Sequence, residues 1–102
     1  MNPIVSIVIP LFNKETTILR AVNSVFAQTN KNFELIIVND GSTDNSAKLV
    51  ESLSGDDRIR LITQNNAGPG TARNRGIREA KTDLIAFLDA DDEWLPGFLD
   101  AV

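Results

Sequence analysis

Neither cysteine nor histidine occurs in this 102-residue chain. Disulfide scaffolds, thiolate zinc sites, cysteine nucleophiles and imidazole bases are thereby excluded, and any metal must rest on oxygen ligands. A surplus of basic charge is missing too: 10 Lys and Arg stand against 14 Asp and Glu, for a formal net charge of -4 and a pI near 4.6. Non-specific nucleic-acid binding needs Lys and Arg gathered on one surface, and no such face is visible, so no nucleic-acid partner is expected. Long apolar runs are also lacking. Pro3 to Phe12, interrupted by Ser6 and Pro10, falls far short of the ~20 residues of a bilayer span. It does not read as a secretory signal either, since no Lys or Arg precedes it and no small-residue cleavage site closes it. A cytoplasmic location is the expectation.

What is present is the composition of one ordinary soluble domain, 42% hydrophobic and 24% charged. Four short runs, Ile4 to Ile9, Phe33 to Val38, Ile59 to Ile62 and Leu84 to Leu88, are rich in Ile, Val, Leu and Phe, and most carry apolar residues on both faces. That is the pattern of buried parallel strands. Between the first two, Glu15 to Gln28 repeats Ile18, Leu19, Val22, Val25 and Phe26 at helical spacing. Ser42 or Thr43 is placed to cap a second helix carrying Ala47, Val50 and Leu53 inward. Gly68, Pro69 and Gly70 lead into a third with Ala72, Ile77 and Ala80 on its inner face. The order βαβαβαβ predicts an α/β fold, a doubly wound, mostly parallel sheet with helices on both faces. After the last strand, Leu95, Phe98, Leu99 and Val102 fall on one helical face, with Pro96 placed to begin it. The expectation is a chain truncated at its C-terminus, part of a larger domain, with a short frayed helix as the alternative. Uncovered apolar surface there predicts self-association.

Open parallel sheets bind ligands outside the carboxyl ends of their strands. Those ends carry Pro10-Leu11-Phe12-Asn13, Asn39-Asp40-Gly41-Ser42, Gln64-Asn65-Asn66 and Asp89-Ala90-Asp91-Asp92. The opposite ends are polar as well, and what separates the two is the concentration of negative charge in Asp89, Asp91, Asp92 and Glu93. Two carboxylates about 5 Å apart repel by roughly 3 kcal/mol at an effective dielectric near 20, so such a cluster needs either free hydration or a cation. If Asp89 and Asp91 lie in extended backbone, period two aims both the same way, which suits one Mg²⁺ or Mn²⁺ ion. The alternative is a solvated acidic turn. Asp40, at the turn where its strand leaves the sheet, suits either acceptance of a base imino N–H or a local Asx-turn. The segment Gly68 to Gly76, with Arg73 and Arg75, suits an anion or a planar base, or carries merely solvated arginines.

Taken together these stretches resemble a family. Val5 to Asn13, Val38 to Asp44, Asn65 with Gly68 and Ala72 to Gly76, and Leu88 to Trp94 are similar, in order and spacing, to the nucleotide-binding half of a family 2 glycosyltransferase. The resemblance implies a GT-A fold that binds a nucleotide-diphosphate sugar, most often a UDP-sugar. It implies that Asp40 reads the base, that Pro10, Phe12, Asn65 and Arg73 complete the nucleoside pocket, and that Asp89 and Asp91 form an Asp-x-Asp pair. Asp89 would lie near the ribose and diphosphate, and Asp91 would hold Mg²⁺ or Mn²⁺. Phe12 stands where tyrosine is frequent, and Glu15 matches a frequent family acid without a firm role. Transfer with inversion to an acceptor hydroxyl of a saccharide, lipid or protein would need a base beyond residue 102, so these residues include none of the catalytic ones. Association of the longer protein with the cytoplasmic face of a membrane is compatible with this. Other parallel-sheet readings are weaker. The first strand ends in Pro10 to Asn13 rather than in the acids of a receiver-type signalling domain, and neither a Gly-x-Gly-x-x-Gly turn nor a phosphate-binding Lys loop is present.

Overall fold

The structure is a computed structural model that describes residues 3–53 and 55–101. Four strands, β1 (Val5–Leu11), β2 (Phe33–Asp40), β3 (Ile59–Gln64) and β4 (Ile85–Phe87), alternate with helices α1 (Ile18–Phe26), α2 (Ser46–Glu51) and α3 (Pro69–Glu79). All pairings are parallel and the strand order is β3-β2-β1-β4. The chain therefore winds outward from β1 to β3, then crosses back to the other side of β1. Ile7, Ile9, Leu11, Leu35 and Ile37 face α1 and α2, packing on Ile18, Ala21, Val22, Val25 and Val50. Val8, Ile36 and Val38 face the other way, onto Ala72 of α3. Runs apolar on both faces are what a sheet covered on both sides demands, and the doubly wound α/β expectation is met.

The approach of α3 to the sheet depends on Gly76, where an added Cβ would come within 2.4 Å of Val8 Cγ1. Small residues hold this face, and Ile77, expected to point inward, is instead 45% exposed because Ala72 and Gly76 take the contact line one helical turn apart. The strands differ from expectation mainly at their carboxyl ends. β1 runs through Pro10, although proline cannot donate to a ladder. Val8 accepts from Leu88 N–H on the β4 side, and by period two Pro10 faces that same side, where the register with β4 has already ended at Phe87. No ladder bond is lost there, and a gap opens between β1 and β4.

Two helix expectations are corrected. The cap of α2 is Asn45 rather than Ser42 or Thr43. Those two residues are engaged elsewhere: Ser42 Oγ accepts from Asn13 N–H at 3.0 Å, and Thr43 N–H donates to Asn13 Oδ1 at 2.7 Å. The helix expected from Pro96 is a 3₁₀ turn, Phe98–Ala101, with Leu99 alone buried among the described residues of the apolar stripe and Leu95 82% exposed. Gln28 explains it. Its buried side chain donates to the Leu95 carbonyl at 2.7 Å and accepts from Leu99 N–H at 2.9 Å, tying this backbone to the end of α1 instead of to itself. Val102 lies outside the described residues. Trp94 is half-buried against the core and stacks on Phe98 with ring centroids 4.3 Å apart, a packing role. No helix among the described residues is long and apolar enough to cross a membrane.

Candidate functional site

At the carboxyl ends of β1, β2 and β4 and the start of α3 lies a cleft of about 480 Å³. This is where the strand order reverses, the position at which open α/β sheets take ligands. Pro10 and Phe12 come from β1 and its exit, Asp40 from the end of β2, Arg73 from α3, and Asp89 and Asp91 from the segment after β4. Of the residues expected here, Asn65 alone is not on the wall, and Asn66 takes that place. Lys14 also lines the cleft and was not anticipated. It lies one residue beyond the strand-exit stretch that drew attention.

Asp40 is only 2% exposed. Its Oδ1 accepts from Gln64 Nε2 at 2.9 Å and Ala67 N–H at 2.8 Å, and its Oδ2 from Gly68 N–H at 3.0 Å and Asn66 Nδ2 at 3.3 Å. Burial by itself raises the carboxyl pKa, but the hydrogen bonds from Gln64, Ala67 and Gly68 outweigh it and hold Asp40 below the ordinary value. The carboxylate thus organises the 64–68 loop and with it the start of α3. It makes no Asx-turn of its own. The local side-chain bond across this turn comes from Asn39, whose Oδ1 accepts from Ser42 N–H three residues on at 3.1 Å. Gly41 follows with φ 72°, and a Cβ there would stand 2.8 Å from Asn66 N, so the two loops can meet only at a glycine.

Of the two arrangements open to the acidic rim, extended backbone or a turn, the chain adopts the turn. The strand ends at Phe87, Leu88 N–H still donates to Val8, and a turn then follows, with Asp92 N–H donating to the Asp89 carbonyl at 3.0 Å. The turn, rather than strand alternation, brings Asp89 and Asp91 to one cleft. It is pinned from α1 and its approach: Thr17 Oγ1 donates to the Ala90 carbonyl at 2.9 Å, and Arg20 to the Asp91 carbonyl at 3.0 Å. Among the described residues, three of the four acids, all but Asp92, have a cation at arm's length. Arg73 is 3.6 Å from Asp89, Lys14 is 3.8 Å from Asp91, and Arg20 is 3.7 Å from Glu93. Glu15, whose family counterpart had no firm role, accepts from Asn45 N–H while its own N–H donates to Asp44, stitching the β1 and β2 exits together.

Among the described residues no group of three or more acidic side chains converges as a cage for a metal ion. Two neighbouring carboxylates at an open rim instead fit a hard cation that takes its remaining ligands from water and phosphate oxygens. The cleft therefore combines an apolar wall at Pro10 and Phe12, a buried acceptor, an arginine and a carboxylate pair, which together can hold a planar base at one end and a cation-bridged anion at the other.

The model of the Glycosyl transferase family 2 family matches residues 6–102. The chain belongs to that family. It is 47% identical over 88 residues to an uncharacterized glycosyltransferase of Rickettsia felis, covering 86% of this chain and 15% of that protein. It is 43% identical over 100 residues to an uncharacterized glycosyltransferase of Nostoc sp., covering 96% of this chain and 31% of that protein. The chain thus spans less than a third of either relative. Among solved structures, S. aureus TarS in complex with UDP-GlcNAc superposes with a TM-score of 0.90 and 28% identity, over 96% of this chain and 29% of that one. The fold of this family 2 chain is the Rossmann-like α/β half of GT-A transferases.

Proposed function

We propose that this chain is the donor-binding part of an inverting glycosyltransferase and holds a nucleotide-diphosphate sugar, with UDP as the nucleotide, in the cleft between β1 and β4. The observation that carries the reading is the convergence of Asp40, Arg73, Asp89 and Asp91 with Pro10 and Phe12 at the sheet's reversal point. The UDP and UDP-GlcNAc complexes of TarS support the choice of nucleotide.

The base lies against Pro10 and Phe12 and hydrogen-bonds Asp40. All four acceptor positions of Asp40 are filled by the chain, and the Asn66 amide, the longest of the four bonds at 3.3 Å, is the one that gives way. Asn66 rather than Asn65 then completes the nucleoside pocket. Arg73 approaches the base and sugar side, and Asp89 the ribose and diphosphate. A divalent cation, Mg²⁺ or Mn²⁺, would be held by Asp91 with Asp89 beside it and would supply stabilisation of the negative charge on the departing nucleotide diphosphate. The small share of its relatives that the chain spans supports placing the general base and the acceptor site, for a saccharide, lipid or protein hydroxyl, in residues outside these 102. Binding without appreciable transfer is therefore expected of the chain alone. Exposed Leu84, Phe87 and Leu95 support self-association, which sedimentation at high concentration would detect.

Calorimetric titration with UDP, GDP and dTDP, with and without Mn²⁺, tests the reading. UDP should bind best, at least about tenfold more tightly with Mn²⁺, and Asp91→Asn should remove that enhancement. Absence of binding by any of the three in a folded sample overturns the assignment.

A further inference from the structure

We propose that Lys14 is a stand-in cation for Asp91, which it neutralises in the free protein and leaves for the diphosphate when nucleotide and metal arrive, so that the two ligands bind cooperatively. The inference rests on the donor-site reading above and adds to it how that site admits its ligands.

Three observations support it. The backbone of Lys14 is fixed: its N–H donates to Ser46 Oγ at 2.9 Å, and its carbonyl accepts from Thr17 N–H at 3.1 Å and Ile18 N–H at 2.9 Å. The tip is not fixed. Its ammonium stands 3.8 Å from Asp91 Oδ2, longer than the ~2.8 Å of a well-formed charged hydrogen bond, with side chains 45% and 56% exposed. A pair of that kind exchanges partners readily. Finally, the neighbouring cations face other acids. Arg20 donates to the Asp91 carbonyl as well as facing Glu93, and Arg73 faces Asp89, so Lys14 is the group whose departure frees the Asp91 carboxylate.

The electrostatics then run in opposite directions for the two ligands. A divalent ion arriving alone at Asp91 must displace an ammonium that has nowhere better to go, and meets like charge. A diphosphate arriving with it offers the ammonium new oxygens at the same rim. By linkage, whatever the nucleotide adds to metal affinity the metal adds to nucleotide affinity. A lysine suits this role, being a compact charge on a flexible four-carbon stem.

The test compares the wild-type chain with Lys14→Met, Lys14→Arg and, as a control on exposed α2, Lys48→Met. Titrations are run with Mn²⁺ alone, with UDP in the presence of EDTA, and with both. Lys14→Met should bind Mn²⁺ alone about fivefold more tightly and UDP in EDTA about fivefold more weakly, with correspondingly smaller cooperativity. Lys14→Arg should retain the UDP affinity, Lys48→Met should match wild type, and in an Asp91→Asn background Lys14→Met should no longer change Mn²⁺ affinity. Unchanged or weaker Mn²⁺ binding by Lys14→Met, unchanged UDP binding by it, or an equal effect in the Asp91→Asn background overturns the inference while leaving the donor site intact. Failure of the wild-type chain to bind UDP under any condition overturns both. Circular dichroism of each variant establishes that it is folded.

Discussion

β2 carries a buried carboxylate near each end, Glu34 at the amino end and Asp40 at the carboxyl end, 6% and 2% exposed. Glu34 is closed off by strong partners: Ser6 Oγ at 2.5 Å, Lys81 N–H at 2.6 Å and Arg60 at 3.6 Å. Arg60 is tied in turn to Glu79 at 2.8 Å, and Glu79 to Arg75 at 3.6 Å. Nearby, Arg58 grips Asp56 with two nitrogens and lies over the rings of Phe26 and Phe33. Among the described residues Asp40 has no cation, only neutral donors from the end of β3 and the loop after it, and the acids around it are exposed with partners 3.6 and 3.8 Å away. Both ends of the sheet are polar, and both have a cleft. The amino end is saturated and holds the fold together, whereas at the carboxyl end the charges are paired weakly enough to take another partner.

Removing each carboxylate would break that comparison most directly. Glu34→Ala strands the Lys81 N–H and takes one partner each from Ser6, which keeps Thr82, and from Arg60, which keeps Glu79, and should lower unfolding stability by ~3 kcal/mol without altering the UDP affinity of the folded fraction. Chemical denaturation and calorimetry would measure the two. Asp40→Ala removes acceptors from four neutral donors that can partly turn to water, so the stability loss should be smaller, ~2 kcal/mol, but UDP binding should fail with it. Loss of UDP affinity in Glu34→Ala equal to that in Asp40→Ala would erase the distinction between the two ends.

Acid sharpens the contrast with a predicted sign. The folded-state pKa of Asp40 lies below its ordinary value of 3.8, so the ionised carboxylate contributes stability that is complete above that value. As pH falls below 3.8 and through the lowered folded value, the unfolded chain takes up the proton first and the contribution is lost. Denaturation midpoints at successive pH values should therefore fall less steeply on the acid side in Asp40→Asn than in wild type. Identical acid limbs would show that the hydrogen bonds to Asp40 do not favour its charged form.

The strands were legible because parallel strands covered on both faces are apolar throughout, and Ile4 to Ile9 and Phe33 to Val38 have few other readings. Their ends were not, since Asn39 and Asp40 stay in register only because Thr63 and Gln64 lie opposite them. Glu34 and Gln28 carried no signal of their roles: their partners, Ser6, Lys81, Leu95 and Leu99, lie 28 to 71 residues away. Asn66 was not separable from Asn65 in the sequence, since the bonds of Gln64 and Asn66 to Asp40 appear only in the fold. Strand alternation does not reach Asp89 and Asp91, because β4 is only three residues long and the turn follows it.

The smallest expected effect on stability belongs to the rim. Arg73 is 41% exposed and 3.6 Å from Asp89, and exposed pairs of this sort are worth at most ~1 kcal/mol. Arg73→Met keeps most of the aliphatic stem against the cleft wall and should change unfolding stability by less than ~0.5 kcal/mol. UDP affinity should nevertheless drop several-fold, because the guanidinium lines the proposed nucleoside side of the cleft. A substitution nearly silent in denaturation yet visible in titration is the inverse of Glu34→Ala. If Arg73→Met instead destabilised the chain as much as Glu34→Ala does, the carboxyl end would hold the fold together no less than the amino end, and loose pairing would no longer mark the site.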